Sequence, residues 1–434
     1  MRIGFFTDRY LPQIDGIVIS VETFRRELEN LGHEVYVIAP APGLRYKEPS
    51  KRIIRFPAVK GLWGDYDYLT SFYFPPQALR RLEKLNLDLI HFHGPGQIGL
   101  LGAYFAIKNN IPLVTTYHTD LYEYVVHYKS VLPGTIALSL LAPIITGGGL
   151  TDYRNALSSI KPDRNIDRWN QKIVQRGITL IHNSCDLVIA PSRKMSTQLQ
   201  SWHANTPISV IPTGLNKLPS TPASIASWRK KLGLSGNEKV IFYVGRLGSE
   251  KNFDLLVKAF TLVLRSDPSA RLLIVGDHPD RKEIEAAAHA TSAKNNIIFA
   301  GYVGQEDLGS LYDLSYIFAF PSLADTQGVV INEAAWAGLP IVMIDKDISS
   351  VAQANKNTLY ARNNPKDFAS KLLRLLTKPE LHAAFSRESL RLAHEYTASK
   401  QAQLLLTAYD EVIKNHSKNV EQKKSLREKF NPFA

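Results

Sequence analysis

Residues 240–252 read VIFYVGRLGSEKN. Val240 to Val244 are all β-branched or aromatic, the composition of a buried strand, and Gly245 ends that run. The stretch NFDLLVKAFTLVLRS (252–266) then carries its apolar residues at helical spacing. A buried strand, a glycine turn and an amphipathic helix make half of a parallel βαβ unit. The same unit recurs along the C-terminal half. RLLIVGD (271–277), NIIFAG (296–301), YIFAFPS (316–322) and PIVMI (340–344) read as strands, with RKEIEAAAHA (281–290) and VVINEAAWAG (329–338) as helices between them. The N-terminal half has the same rhythm. RIGFFT (2–7), EVYVIAP (34–40), DLIHFHG (88–94), IPLVTTYH (111–118) and DLVIAPS (186–192) alternate with VETFRRELENLG (21–32), IGLLGAYFAIKNN (98–110) and RKMSTQLQSW (193–202).

Between the halves lies LNKLPSTPASIAS (215–227), rich in Pro, Ser and Thr. The expectation is an α/β protein of two doubly wound, Rossmann-like domains. The first spans 1–208 and the second 209–398, with the joint near Ser209 to Ser224, and 399–434 forms a C-terminal helix and basic tail. Helix spacing from Ser399 to Asn415 leaves open which domain that helix packs against.

The 434 residues, 44% hydrophobic and 21% charged, suffice for large cores and exclude disordered, collagenous and coiled-coil classes. One cysteine, Cys185, cannot form an intrachain disulfide, so a reducing cytoplasm is expected. RIGFFT followed by Asp8 and Arg9 is too short and too polar for a signal peptide, which assigns the first residues to the fold. The net charge of +12 favours phosphate-bearing partners without choosing among nucleic acid, anionic lipid and sugar nucleotide. Six bases against one acid cluster in RYKEPSKRIIRFPAVK (45–60), and six against two in the tail from Lys414 to Ala434. These segments read either as solvated surface or as a patch for an anionic membrane. The 22 residues SVLPGTIALSLLAPIITGGGLT (130–151) carry no charge. Pro133, Pro143 and Gly147 to Gly149 argue against one spanning helix, leaving a buried core or lid segment, or a surface that dips into lipid or lines an apolar acceptor channel.

Chemistry concentrates at three places. In TDRYLPQIDGIVISVE (7–22), Asp15 and Gly16 precede a helix whose first N–H groups can face an anionic group. The GxGxxG spacing of dinucleotide folds is absent there, so a nicotinamide cofactor is not expected. Arg246 and Lys251 follow a strand's carboxyl end, a placement that suits a pyrophosphate. In FAFPSLADTQGVVINEAAWAGLP (318–340), Asp325 sits on a loop, Gly328 and Val329 open a helix, and Glu333 follows on it. Carboxylates so placed can accept hydrogen bonds from sugar and ribose hydroxyls. His91 and His93 read as structural, and HFH without further ligands is no metal site. Asp65-Tyr-Asp67 and Asp345-Lys-Asp347 are DxD matches of the kind chance supplies.

Taken in order, YLPQIDGI (10–17), TTYHT (115–119), CDLVIAPS (185–192), VIPTGLN (210–216), VGRLGSEKN (244–252), the Asp325–Glu333 segment and GLP (338–340) resemble retaining glycosyltransferases of family four, from Arg2 to Asn415. This large GT-B group, of two Rossmann-like domains facing across a cleft, includes sucrose synthase and bacterial mannosyl- and glucosyltransferases. Within it, YLPQIDGI, YHTDLYEYVVHY (117–128) and IPTGL (211–215) are most similar to bacterial diacylglycerol glucosyltransferases.

The resemblance implies that the first domain takes the acceptor and the second the nucleotide sugar. It makes Arg246 and Lys251 the pyrophosphate pair, Glu333 the ribose acid, His118 the histidine that touches the donor sugar, and Gly16 the glycine beside the phosphates. Gly328 and Val329 join the donor site. Asp325 stands where the family usually has Glu, so the donor sugar is the property it puts in question. Tyr122, Glu123 and His127 match the acceptor pattern with a slightly longer spacing, and Val131–Trp169 resembles an insertion.

The implied reaction transfers a hexose, with UDP-glucose the expected donor, to a membrane lipid such as diacylglycerol, with retention. Fixed positive charge and helix-start amides stabilise the leaving diphosphate, so no cofactor or metal is called for. Domain closure would keep water out. The expected setting is cytoplasmic, peripheral to the inner face of the membrane, with no nucleic acid partner. Synthesis of a cell-surface polysaccharide or other glycan, and nucleotide-sugar binding without turnover, are the alternative readings.

Overall fold

The computed structural model describes residues 1–43, 45–60, 69–71, 73–128, 131–159, 161, 163–202, 204–277 and 280–429. Asp65, Asp67 and Ser130 lie outside the described residues, as does the side chain of His127. The chain divides into two compact units, Met1–Ile211 with Gln401–Ala434, and Pro212–Lys400. The divide between Ile211 and Pro212 lies inside the segment from Ser209 to Ser224. The terminal segment from Gln401 groups with the first unit.

The first unit opens with β1 (Arg2–Thr7), α1 (Gly16–Asn30), β2 (Glu34–Pro40) and β3 (Ile53–Phe56). A two-residue antiparallel pair follows, β4 (Val59–Lys60) with β5 (Leu69–Thr70), then α2 (Pro76–Glu83). The chain continues through β6 (Leu89–His93), α3 (Gln97–Asn109), β7 (Leu113–Thr116) and α4 (Leu121–His127). The helices α5 (Leu132–Ile145), α6 (Leu150–Ser159) and α7 (Ile166–Asn183) precede β8 (Leu187–Ala190), α8 (Arg193–Ser201) and β9 (Ile208–Val210). The strands β1–β3 and β6–β9 form a parallel sheet in the order β3-β2-β1-β6-β7-β8-β9. The order reverses between β1 and β6, the crevice where doubly wound sheets bind ligands.

The second unit runs α9 (Pro222–Lys231), β10 (Val240–Val244), a 3-10 turn (Ser249–Lys251), α10 (Phe253–Leu264), β11 (Arg271–Val275) and α11 (Arg281–His289). Then come β12 (Ile297–Gly301), α12 (Gln305–Asp313), β13 (Ile317–Phe320), α13 (Val329–Trp336), β14 (Ile341–Met343) and β15 (Thr358–Tyr360). Helices α14 (Pro365–Thr377), α15 (Pro379–Glu395) and α16 (Ala398–Lys429) end the chain. This sheet is also parallel, in the order β12-β11-β10-β13-β14-β15, and it reverses between β10 and β13.

The central strands β10, β11 and β13 are buried along nearly their whole length because helices cover both faces. The question of where α16 packs is settled by its apolar face. Ala402, Leu405, Tyr409 and Val412 join Ile3, Phe5, Val35 and Leu89 in one buried cluster of the first unit. Within the uncharged stretch, Leu132–Ile145 form α5, which holds Pro143 in its last turn and packs on α7. Asn170 of α7 ties this layer together, meeting the Thr135 hydroxyl at 2.9 Å and donating to the Val125 carbonyl at 3.4 Å. Among the described residues no helix is long and apolar enough to cross a membrane.

Candidate functional site

At the carboxyl end of β10 the chain must turn sharply over its neighbour. Gly245 has φ 150° and Gly276, just after β11, has φ 139°. A Cβ on Gly276 would lie 1.9 Å from the Gly245 carbonyl oxygen, so neither close approach nor dihedral tolerates a side chain there. The glycines keep backbone, rather than side chains, at the rim of the reversal point. Arg246 and Lys251 leave from this loop.

The two cations do not stand alone. The Arg246 guanidinium donates to Glu250 at 2.7 Å, and the Lys251 ammonium donates to Asp325 at 2.8 Å. Because β10 and β13 are adjacent, the second pair joins the loops that follow them across the reversal point. Glu250 is a residue the sequence reading passed over, and its spacing four after Arg246 was the available signal. Its side chain folds back over Gly248, where a Cβ would meet a carboxylate oxygen at 2.1 Å. Behind them stands the buried Tyr243 hydroxyl, pushed up first by desolvation and then by the charges of Asp325 and Glu250.

Gly328, with φ 64°, caps α13, and Val329 is its first residue. The first-turn N–H groups of a helix lack intrahelical partners, which makes this start an anion-facing edge. Glu333, one turn on, is 4% exposed and accepts a 2.7 Å hydrogen bond from the Tyr312 hydroxyl. Burial raises its pKa from 4.5 to about 6 against the lowering effect of that bond. Gln327 and Asn332 were not legible as functional. Gln327 brackets the backbone of Thr213, accepting from its N–H at 3.0 Å and donating to its carbonyl at 2.9 Å, and Asn332 donates to the same carbonyl. They fasten the PTGL loop to the start of α13 within the second unit.

In the first unit, Asp15 caps α1 by accepting from the Val18 N–H at 2.9 Å and is paired with Arg9 at 3.1 Å; Gly16 is the first helical residue. His118 follows β7 and shares a 2.9 Å hydrogen bond, through Nε2, with Nδ1 of His93 at the end of β6. Burial lowers the His118 pKa to about 4, opposed by the nearby Asp15 charge. His91 lies behind, bound to the Tyr409 hydroxyl and, at 2.7 Å, to the Thr116 hydroxyl. Asp8, beyond the end of β1, accepts from the Ile98 and Gly99 N–H groups at the start of α3, and burial raises its pKa to about 6. It closes that helix start from the neighbouring strand β1, about ninety residues earlier in the chain, a contact with no sequence signature.

Of the acceptor candidates, Tyr122 packs its ring on Trp202 at 5.5 Å, and the Glu123 N–H is bound by the Asp120 cap at 3.3 Å. Only part of the basic segment is surface. Arg55 is 7% exposed in its side chain, paired with Glu48 and donating to the Pro40 and Leu11 carbonyls. Arg52 pairs with Glu29, while Arg45, Lys47, Lys51 and Lys60 are exposed. The outer face of α5 and α6 presents Leu140, Leu141, Ile144, Tyr153 and Leu157, with Ile144 57% exposed. Arg154, Lys161 and Arg164 are exposed beside them in the sequence.

Residues 14–217 match the family described as Glycosyltransferase Family 4, and residues 224–391 match Glycosyl transferases group 1. Over 433 residues the chain is 29% identical to the alpha-monoglucosyldiacylglycerol synthase of Acholeplasma laidlawii, covering 98% of this chain and 100% of that protein. It is 27% identical to a GDP-mannose-dependent alpha-mannosyltransferase of Corynebacterium glutamicum, over 79% of this chain and 72% of that one. Among solved structures, sucrose-phosphate synthase from Thermosynechococcus elongatus superposes with a TM-score of 0.69 at 18% identity, covering 95% and 99% of the two chains. Anabaena Alr3699/HepE in complex with UDP-glucose gives 0.66 at 16% identity, covering 95% and 100%.

Proposed function

Since this chain belongs to the GT-B glycosyltransferases that join a Family 4 domain to a group 1 domain, we propose that it transfers glucose from UDP-glucose to a membrane lipid such as diacylglycerol, with retention at the anomeric carbon. The observation that carries the donor half is the pair of cations, Arg246 and Lys251, presented at the β10/β13 reversal point beside the start of α13.

In this reading the bond from the anomeric carbon to the diphosphate oxygen breaks while the acceptor hydroxyl oxygen bonds to the same carbon on the same face. The hydroxyl proton goes to the departing phosphate oxygen. Arg246, Lys251 and the first-turn amides of α13 neutralise the charge that grows on the diphosphate. An ammonium has three donors, so Lys251 can keep its bond to Asp325 while reaching a phosphate. Asp325 then serves twice, aiming Lys251 and accepting from sugar hydroxyls. Glu333 accepts from the ribose, and its burial strengthens that bond through the low local dielectric. His118, neutral at physiological pH, is the N-terminal unit's contact for the donor sugar, with Gly16 beside the phosphates. Tyr122, Glu123 and His127 are assigned to the acceptor.

The lipid acceptor is supported by the chain-long likeness to the Acholeplasma laidlawii enzyme and by the apolar outer face of α5 and α6 among exposed bases. Such a surface binds an anionic membrane by burying apolar side chains and attracting headgroups. Peripheral attachment at the inner face of the membrane follows as part of the proposal. The experiment is incubation of the purified protein with UDP-glucose and vesicles holding diacylglycerol. A glucosyl-diacylglycerol in mass spectra, with the small anomeric coupling of an α-glucoside, is the expected product. Glycosylation of a soluble glycan instead, or a β product, overturns the acceptor or the retention respectively.

A further inference from the structure

The segment DRYLPQIDG (8–16) joins β1 to α1 and ends on Asp15 and Gly16. Its middle has neither strand nor helix to hold it. Two contacts close it onto its own helix: Arg9 pairs with Asp15 at 3.1 Å, and the buried Tyr10 donates from its hydroxyl to Glu22 at 2.7 Å. A third comes from a different strand. Arg55 of β3 donates from Nη2 to the Leu11 carbonyl at 2.7 Å, across 44 positions of sequence.

The same guanidinium donates from Nη1 to the carbonyl of Pro40, the last residue of β2, at 3.0 Å, and from Nε to Glu48 at 2.9 Å. Its carbon lies 5.2 Å from the centre of the Tyr10 ring and 5.4 Å from that of Tyr46. One planar group thus joins the β1–α1 loop, the end of β2 and the segment before β3. An ammonium has donors enough but no fixed fork, so a lysine cannot hold all three directions at once. Keeping a charge in so enclosed a place costs desolvation, and an apolar side chain would pack between the two tyrosines without that cost. What an apolar side chain lacks is a grip on the Leu11 carbonyl.

We propose that Arg55 is a positioning residue: by tying Leu11 to the end of β2 it fixes the loop that carries Asp15 and Gly16, and with it the aim of the first N–H groups of α1 at the diphosphate. This inference rests on the assignment of Gly16 to the phosphates given above. Leu11 stands four residues before Asp15, whose carboxylate accepts from the Val18 N–H at 2.9 Å, so a displacement of the loop passes directly to the helix start. Backbone amides stabilise a departing anion when they are aimed before it forms, and a misplacement of about 1 Å costs about 100-fold in rate. Arg55 therefore serves the donor side, although its place in the basic segment 45–60 counts it among the bases offered to a membrane.

The test uses the full-length protein with Arg55→Lys, which keeps the charge opposite Glu48, and Arg55→Gln, which removes it. Calorimetric titration with UDP counts the folded sites, so that kcat is expressed per site and partial unfolding does not enter. Both variants should lose about 10- to 100-fold in kcat for glucose transfer, with the KM for UDP-glucose changed by less than about threefold, as for an interaction realised while the leaving group departs. Gly16→Ala, which places a methyl at the helix start, should lose as much or more. Because Arg55 acts through that loop, Gly16→Ala combined with Arg55→Gln should lose little more than Gly16→Ala alone, whereas losses that multiply overturn the positioning role. An unchanged kcat per site in both Arg55 variants overturns it too. Co-sedimentation with anionic vesicles should stay at the wild-type level in Arg55→Gln; a fall that tracks the loss of transfer makes Arg55 a headgroup contact instead. Wild-type kcat in Gly16→Ala, beside normal UDP binding, refutes the placing of Gly16 at the phosphates and this inference with it.

Discussion

The Lys251 ammonium lies 2.8 Å from the Asp325 carboxylate, joining residues 74 positions apart that leave adjacent strand ends. The sheet makes this bond available, because β10 and β13 are neighbours only in the folded order. It places a cation and a carboxylate at one point, the pair proposed to meet the diphosphate and the sugar.

Removing either cation tests the leaving-group role. Lys251→Ala and Arg246→Ala should each lower turnover about 10²- to 10³-fold, the usual cost of losing a preorganised charge at a developing anion. Arg246 is 38% exposed in its side chain but its partner Glu250 only 4%, so Arg246→Ala should lower stability mainly by leaving that buried carboxylate without this cation, and adding Glu250→Ala should recover the loss without recovering turnover. Lys251→Ala leaves Asp325 without its cation, and the double variant with Asp325→Ala should restore stability without restoring turnover. Steady-state kinetics beside thermal unfolding separate the two effects, and unchanged rates would remove the cations from the mechanism.

Asp325 is expected to govern the choice of sugar. Asp325→Glu extends the carboxylate by one methylene, which shifts discrimination between hexose donors by about tenfold. Ratios of kcat/KM for UDP-glucose and UDP-galactose measure it. Asp325→Asn keeps the size but releases Lys251, so its loss should fall on kcat for every donor alike. Identical donor ratios in the wild type and the Glu variant would place the sugar elsewhere.

Glu333 should cost stability where it serves function. Its folded pKa of about 6 lies above the unfolded 4.5, so the folded state favours the protonated acid. The corresponding stability is fully present below pH 4.5 and is lost as pH rises through 6, amounting to about 2 kcal/mol by pH 8 for a shift of this size. Glu333→Gln keeps the Tyr312 bond and has no such dependence. It should therefore be the more stable protein at pH 8, with the advantage shrinking toward pH 4.5, while binding of UDP weakens. Denaturant unfolding at both pH values checks the sign. Asp8 shifts in the same direction and contributes equally to both proteins, so it cancels in the difference.

The outer face of α5 and α6 should bind vesicles. Leu141, Ile144 and Leu157 are exposed, and replacing all three by Ser should leave unfolding stability within about 0.5 kcal/mol per site. Co-sedimentation with anionic vesicles should fall several-fold, and hydrolysis of UDP-glucose in their absence should not change. Undiminished sedimentation would assign membrane contact to another surface.

The strand and helix order was legible because parallel sheets covered on both faces leave unbroken β-branched runs, as in VIFYVG, and because glycine marks their ends. Arg246, Lys251, Asp325, Gly328 and Glu333 could be singled out, since charge at strand ends and helix starts is a local pattern. Their partners could not. Glu250 has no local signal beyond its spacing four after Arg246, and Arg55 counts as part of the basic segment until the fold turns it inward onto Glu48. Gln327 and Asn332 are unremarkable in sequence and act only through a backbone segment more than a hundred residues away.

By itself, then, the sequence determined two doubly wound units and singled out the residues proposed to meet a nucleotide sugar, because periodicity and helix-start chemistry are written within a few neighbouring positions. The tertiary structure alone decided that α16 closes the first unit through Tyr409 and His91, that Lys251 meets Asp325, and that His93 addresses His118. Those contacts depend on which strands become neighbours and which way buried rings turn, and sheet order and core packing set both over the whole chain at once.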